Sequence, residues 1–271
     1  MQEQRQRRAR APIGVFDSGA GGLTILAALQ QELPDENYIY LGDTAHCPYG
    51  ARSEEEIIDL TVRANHFLLR QRVKLIVVAC NTASQAALSV LRATYNIPFV
   101  GVVPAVKPAA RMTKRGRIGV AATNRAVKAT YLQHLIEDFA ADIQVYSVGC
   151  PELVTLVERG ELKGEVVDKT LQRALAPLLE KDIDVLVLGC THFPALRPAI
   201  QRAVGENVQV IDSGAAIARR TREILHTEGL THPEQPERGN TQIWCSGEAQ
   251  DFSRVASAVL GYPIIARQAT L

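Results

Sequence analysis

Two short stretches pair a thiol with polar neighbours in the same order. Val77-Val78-Ala79-Cys80-Asn81-Thr82 and Val187-Leu188-Gly189-Cys190-Thr191-His192 each end an apolar run on a cysteine and continue into polar residues. Asn81 or Thr82, and Thr191, are expected as helix caps there. A free thiol has a reference pKa of about 8.5, so little of it is anionic at neutral pH. A helix N-terminus favours the anion, because its free amides and dipole attract negative charge. Two such thiols on opposite walls of a cleft suit one type of reaction. One removes a proton from one face of a carbon, the other delivers a proton to the opposite face, and the roles exchange in reverse. A lone cysteine in an apolar wall is commonly inert. The pairing, with polar neighbours on both, is what favours chemistry.

Helpers for such a pair lie at matching places. Asp17 ends the first apolar run, before Ser18-Gly19-Ala20-Gly21-Gly22. Glycines admit close backbone approach, and the loop amides can hold a carboxylate. The glycine spacing is neither the dinucleotide GxGxxG nor a phosphate loop ending in GK[ST]. Asp17 can polarise Cys80 or a substrate ammonium; its alternative role is a helix cap. His192 can relay the proton of Cys190 or bond a substrate carboxylate, and Glu158, closing the run Leu153–Val157, can orient it. Either also reads as an ordinary hydrogen-bonded or surface residue. In Pro48-Tyr49-Gly50 the proline stiffens the turn, and Tyr49 offers a hydroxyl and a ring. Thr123 stands in the second half where Asp17 stands in the first. It is a candidate carboxylate ligand, with Asn124 expected as the helix cap. Cys47 reads as a thiol supporting the site from behind or as an incidental one, and Cys150 and Cys245 as structural ones.

The elements that must position these groups alternate. Ile13–Phe16, Tyr38–Leu41, Leu75–Ala79, Phe99–Val103, Ile118–Ala121, Ile143–Val148, Val185–Leu188 and Val208–Ile211 read as buried parallel strands. Helical segments separate them. One opens at Ser53 with Glu56 three residues on, a capping box, and buries Ile57, Leu60, Ala64, Phe67 and Leu68. Another covers Val166–Leu179. The fold class is α/β, with two similar three-layer domains, mostly parallel sheets, pseudo-symmetry and an active site in the interdomain cleft. The expected division is a basic flexible tail at 1–11, a first domain at 12–99 plus 211–266, a second at 100–210, and a tail at 267–271. A second echo, Val15-Phe16-Asp17-Ser18-Gly19 with Val210-Ile211-Asp212-Ser213-Gly214, also hints at duplication. Ligands in such folds sit beyond the C-terminal strand ends.

Composition excludes several classes. With 30 basic and 29 acidic residues, the chain lacks the charge excess that nucleic-acid wrapping draws on. The exception is local: Arg5, Arg7, Arg8 and Arg10 crowd the N-terminus, read as a solubilising tail. No apolar stretch is long enough to span a membrane. Five widely spaced cysteines do not make a disulfide scaffold and suit a reducing cytoplasm. There is no CxxC pair, so no metal or iron–sulfur site is expected. Thr231–Asn240 reads as a polar loop.

In order, these motifs resemble glutamate racemases over about residues 12–266. The matching pieces are Gly14-Val15-Phe16-Asp17-Ser18-Gly19 with Gly21-Gly22-Leu23-Thr24, Pro48-Tyr49-Gly50 with Arg52-Ser53, and Ala79-Cys80-Asn81-Thr82-Ala83. Gly101-Val102-Val103-Pro104 and Gly189-Cys190-Thr191-His192-Phe193-Pro194 follow. Their order and joint presence make the likeness specific. The resemblance implies that Cys80 takes the α-proton of D-glutamate and Cys190 that of L-glutamate. It implies that Asp17 assists the first, that Glu158 and His192 assist the second, and that no cofactor or metal takes part. Ser18, Pro48, Tyr49, Gly50, Asn81, Thr82, Thr123, Thr191 and Ser213, with Asp17 and His192, are the implied substrate-binding residues. A cytoplasmic bacterial homodimer supplying D-glutamate for peptidoglycan is implied as well, with no nucleic-acid or membrane partner. Two departures stand out. Ala126 replaces a threonine common in the family, and His46-Cys47 replaces an arginine and a small residue before Pro48. The alternatives are a racemase of aspartate or a related acid, a non-catalytic amino-acid-binding protein, and a metal or redox module, which would need further ligands.

Overall fold

Runs such as Leu75–Val78 carry no polar side chain, so they are satisfied only by burial on both faces. The computed structural model describes residues 2–233 and 238–271, with side chains in the first helix from Gln6 onward. Positions 234–237 of the expected polar loop, and the Arg5 side chain, lie outside the described residues. In chain order the strands are β1 (Ile13–Asp17), β2 (Tyr38–Gly42), β3 (Leu75–Val78), β4 (Phe99–Gly101) and β5 (Arg117–Ala122). They continue with β6 (Gln144–Gly149), β7 (Val185–Leu188), β8 (Gln209–Ile211), β9 (Thr241–Cys245) and β10 (Arg267–Gln268). One sheet runs β10-β9-β2-β1-β3-β4 and the other β6-β5-β7-β8. Every neighbouring pair is parallel. The order β2-β1-β3-β4 is repeated as β6-β5-β7-β8, which gives the pseudo-symmetry.

Helices cover the sheets. Ser53 accepts from the Glu56 amide at 3.2 Å and Glu56 accepts from the Ser53 amide at 3.0 Å, so the capping box opens the helix Glu54–Arg70. Its face of Ile57, Leu60, Ala64, Phe67 and Leu68 is buried as the periodicity requires. Full burial of one such large side chain contributes about 1.5–3 kcal/mol, and Leu68→Ala would cost about 2–5 kcal/mol. Helix Gly214–Thr227 returns to the first sheet, where Ile217, Ala218 and Leu225 share a core with Leu23, Leu26 and Leu29.

Four details differ from the sequence expectations. Gln2–Ala9, read as an irregular tail, forms a helix of good helix formers. The carbonyl of Ala9, a buried residue, accepts from Lys74 Nζ at 2.5 Å. β4 reaches Gly101 in the first sheet, past the expected switch after residue 99. The last residues are not all tail, because Arg267 and Gln268 pair with β9, and Ala269 N donates to Cys245 O at 2.7 Å. The Asp17/Asp212 echo does not follow the internal symmetry. By sheet position β1 corresponds to β5, whereas β8 is an edge strand corresponding to β4.

Candidate active site

The two thiols leave equivalent strands, β3 and β7, on the C-terminal edges of the sheets. Cys80 is itself the N-cap of helix Asn81–Thr94, its Sγ accepting from the Ala83 amide at 3.5 Å. Neither Asn81 nor Thr82 serves as the cap, because only Cys80 has extended backbone angles there. Ser18 Oγ lies 3.5 Å from the same sulfur. Burial pushes the Cys80 thiol up to about 12, and the charge of Asp17 acts in the same direction. Hydrogen bonds from Ser18 and Ala83 only partly offset this. Cys80 is therefore a thiol at neutral pH, the helix terminus notwithstanding. Asp17 is fully buried, accepting from Gly19 N at 2.8 Å and from Thr191 Oγ1 at 3.1 Å. Burial raises its pKa above 3.8, against the pull of His192 and these hydrogen bonds.

Cys190 is supported differently. A turn and a 3-10 segment, Phe193–Leu196, follow it, so no α-helix starts at this sulfur and Thr191 is not a cap. The Cys190 Sγ instead lies 3.6 Å from His192 Nδ1. His192 Nε2 bonds Glu158 Oε1 at 2.5 Å. Burial opposes charge on His192, yet hydrogen bonds with Cys190, Cys47 and Glu158 hold it well above 6.5. For Glu158, burial works upward, but the bonds to His192, Ala20 and Cys47 hold its carboxyl below 4.5. As an imidazolium, His192 presents its Nδ1–H to the Cys190 sulfur.

The glycine loop holds these helpers. Ala20 N donates to Glu158 Oε1 at 2.7 Å, so the loop amide does bind a carboxylate, the protein's own. A Cβ on Gly19 would lie 2.0 Å from that oxygen, and one on Gly21 2.4 Å from His192 Nδ1. A side chain at either position would therefore displace Glu158 or His192 from this arrangement.

Ser18, Pro48, Tyr49, Gly50, Cys80, Asn81, Thr82, Thr123, Val154, Cys190, Thr191 and His192 enclose a space of about 20 Å³. It has room for about one water. The Asn81 Oδ1 is buried there without a hydrogen-bond partner. Thr82 Oγ1 and Thr123 Oγ1, from the two sheets, approach to 3.3 Å. Thr123, rather than Asn124, caps the helix Asn124–Lys128 by accepting from Ala126 N at 3.2 Å. Ala126 is fully buried and brings no hydroxyl to this corner. Ser213 is not among the lining residues; its hydroxyl donates to Val103 O. The Tyr49 hydroxyl is taken by Asp43 Oδ2 at 2.7 Å, leaving only its ring to the lining.

Sequence reasoning passed over Asp43. Fully buried, it also binds His46 Nδ1 at 2.8 Å and Ser246 Oγ at 2.6 Å, and so fixes the loop that presents Pro48-Tyr49-Gly50. Its position directly after β2 was the available signal. Of the two readings of Cys47, the supporting one fits, since its sulfur belongs to a compact group with Glu158 and His192, the ligating atoms lying within 4.8 Å of one another. Cys150 and Cys245 are buried among apolar side chains in the two cores.

The two repeated parallel sheets and the facing thiols define a class, a two-domain α/β racemase. A family model described as Asp/Glu/Hydantoin racemase matches residues 22–221. The chain is 46% identical over 244 residues to a glutamate racemase of Herpetosiphon aurantiacus, covering 90% of this chain and 96% of that one. The glutamate racemase RacE1 of Bacillus anthracis superposes with a TM-score of 0.85 at 35% identity, covering 96% and 98% of the two chains. The Escherichia coli glutamate racemase, solved with L-glutamate and the activator UDP-MurNAc-ala, gives a TM-score of 0.83 at 37% identity, covering 94% and 97%. The chain belongs to the glutamate racemase family.

Proposed function

We propose that Cys80 and Cys190 are the two acid–base groups that interconvert L- and D-glutamate here. The chain is an isomerase of the cofactor-independent kind. The observation that carries the assignment is the single enclosed space lined by both sulfurs, each with its own helpers. From L-glutamate, the Cys190 thiolate takes the α-proton and the Cys80 thiol protonates the opposite face. In the reverse direction Cys80 must first lose its proton, and Asp17, whose own pKa is raised, is the nearby group suited to take part. Asn81 Oδ1 is an acceptor for the substrate ammonium. Ser18, Thr82, Thr123 and Thr191 supply hydroxyls to the carboxylates. With no hydroxyl on Ala126, that corner relies on Thr82 and Thr123. Tyr49, Pro48 and Gly50 shape the wall.

The carbanionic intermediate has to be stabilised by fixed hydrogen bonds in a dry space. Since the enclosed volume holds about one water, the walls must part to admit substrate and close again before reaction.

Supply of D-glutamate for peptidoglycan, a cytoplasmic setting and a homodimer follow from the family resemblance. No helix among the described residues is long and apolar enough to cross a membrane. Sedimentation would read the dimer directly. The activity is tested in deuterated water from L- and D-glutamate separately, without cofactor, following α-deuteration and optical rotation. Inversion with α-deuteration in the parent, with the inversion lost in Cys80→Ser and in Cys190→Ser, supports the assignment. Exchange and inversion with aspartate alone would make this a racemase of the shorter acid. A folded protein that binds glutamate but exchanges nothing would be a binding protein.

A further inference from the structure

We infer that Cys47, Glu158 and His192 form a site for a zinc-type divalent cation, and that occupancy switches the racemase off. The three ligating atoms lie within 4.8 Å of one another. A tetrahedral zinc site with bonds of about 2.0–2.3 Å spaces its ligand atoms about 3.3–3.7 Å apart. Small side-chain rotations therefore suffice, including an opening of the 2.5 Å contact between His192 Nε2 and Glu158 Oε1. The donor set is one thiolate, one imidazole and one carboxylate, a combination that selects zinc over magnesium or calcium. With three protein ligands, the fourth position is left to solvent, and nothing needs to be added from a partner.

The surroundings suit this use. Gly19 leaves the space between the groups free, because a Cβ there would lie 2.9 Å from Cys47 Sγ and 2.0 Å from Glu158 Oε1. The Ala20 amide orients the carboxylate from behind at 2.7 Å, the kind of outer support that ligands of metals have. Cys47 and Glu158 also line a cavity of about 550 Å³ that opens to solvent. A cation reaches them from that side without passing the substrate space. Glu248 and Asp251 line the same cavity, as do Arg159 and Arg254.

Binding converts the Cys47 thiol to a thiolate and displaces the proton shared by His192 and Glu158. Both protons leave to solvent, and no oxidant or reductant is involved. With Nε2 on the cation, His192 faces Cys190 through Nδ1 only as a metal-bound neutral imidazole, turned by the rotation that admits the cation and no longer an imidazolium paired with Glu158. The inhibition arm rests on the racemase reading above; the binding arm does not.

The probes are zinc chloride and, for spectroscopy, cobalt(II) chloride, added to the metal-free full-length protein with a non-thiol reductant. The parent is expected to bind one cation, to show a thiolate-to-cobalt charge-transfer band, and to lose racemisation in proportion to occupancy, with recovery on chelation. Cys47→Ala and Cys47→Ser should each weaken binding by more than about 100-fold, since even an outer partner of a ligand is worth roughly 10–100-fold. Each variant is compared with its own metal-free rate. A cobalt band that survives in both Cys47 variants and disappears in Cys80→Ser or Cys190→Ser would place the cation in the substrate space and overturn the inference. So would racemisation indifferent to zinc up to millimolar levels. A parent that binds one cation through Cys47 but racemises nothing would keep the site and remove the proposed function instead.

Discussion

The two walls of the cleft descend from the same strand position and solve the same chemical problem by different means. On one wall Cys80 caps a long helix, with Ser18 and a buried Asp17 beside it. On the other, Cys190 has no helix and leans on His192, which leans on Glu158. The first wall gathers groups whose charged forms burial opposes: the Cys80 thiol and the Asp17 carboxyl are both pushed up. The second gathers a pair whose charged forms support each other: His192 is raised and Glu158 lowered. A symmetric fold thus carries an asymmetric resting state, thiol on one side and an imidazolium-supported sulfur on the other. Pseudo-symmetry fixes where the sulfurs stand; the neighbours fix what each sulfur meets.

The largest effect expected tests that asymmetry. Cys80→Ser and Cys190→Ser should each lower inversion by at least about 1,000-fold, within the range general acid–base groups contribute. Because the enantiomers have equal free energies, kcat/KM falls equally in both directions, and inversion alone cannot separate the walls. Exchange without inversion can. Cys80→Ser retains Cys190 and should still wash deuterium into L-glutamate. Cys190→Ser retains Cys80 and should exchange D-glutamate more slowly, because its sulfur rests as the thiol. Equal exchange by the two variants would erase the proposed difference between the walls.

The next effect is on stability, and its sign differs between the walls. The folded pKa of His192 is above its unfolded value, so its contribution is complete below about pH 6.5 and is lost as pH rises through the higher folded value. Glu158 is depressed, so its contribution is present above about pH 4.5 and is lost as pH falls through the lower folded value. Both therefore support folding around neutrality. Asp17 is an acid with a raised folded pKa. Its stability is greatest below about pH 3.8 and declines as pH rises through the folded value. Thermal unfolding at pH 7 should show Glu158→Gln and His192→Asn melting about 5–10 °C lower, for a loss of about 2–3 kcal/mol. Asp17→Asn should melt about 2–4 °C higher while losing activity, a site maintained at the expense of stability. A lower melting point for Asp17→Asn would mean that its bonds with Gly19 and Thr191 outweigh burial.

Much of this architecture was legible in the residues, and what was not has physical causes. Eight strands and the Ser53 capping box follow from local pattern, because burial on both faces and a serine-to-glutamate spacing are local signals. β9 and β10 escaped. Thr241–Cys245 is only half-buried in alternation, and Arg267–Gln268 is a two-residue edge strand with both side chains exposed. The caps were misplaced by one residue at Asn81 and Asn124, since the cap is set by which residue keeps extended angles, and Cys80 and Thr123 do so. Among the candidate groups, Cys80, Cys190 and His192 stand in the motifs, whereas the pairing of Glu158 with His192 was implied by the family resemblance. Asp43 was signalled only by its position directly after β2, since one of its partners, Ser246, lies 203 residues away in sequence. Ser213, implied by the family resemblance, follows the edge strand β8 and lies outside the lining.

The smallest effect concerns what joins the walls. Arg125, following Thr123 on the second sheet's side, reaches Glu54 Oε2 at 3.0 Å and the Arg52 carbonyl at 3.3 Å on the first. It borders a cavity of about 480 Å³ that meets the site at Gly50 and Thr82. The Arg125 and Glu54 side chains are 30% and 65% exposed, so this pair is worth at most about 1 kcal/mol. It spans the two walls beside the site, so an opening that parts them there would break it. Arg125→Ala should therefore leave the melting point nearly unchanged and raise KM by no more than about threefold, with kcat equal to or slightly above the parent's. Salt screens an exposed ion pair, so the parent's KM should rise with ionic strength and the variant's should not. A fall in kcat of about 100-fold would instead make Arg125 a substrate ligand. The wall that presents Cys190 would then carry a second cation besides His192, and the contrast between the two walls would be sharper than the thiols alone make it.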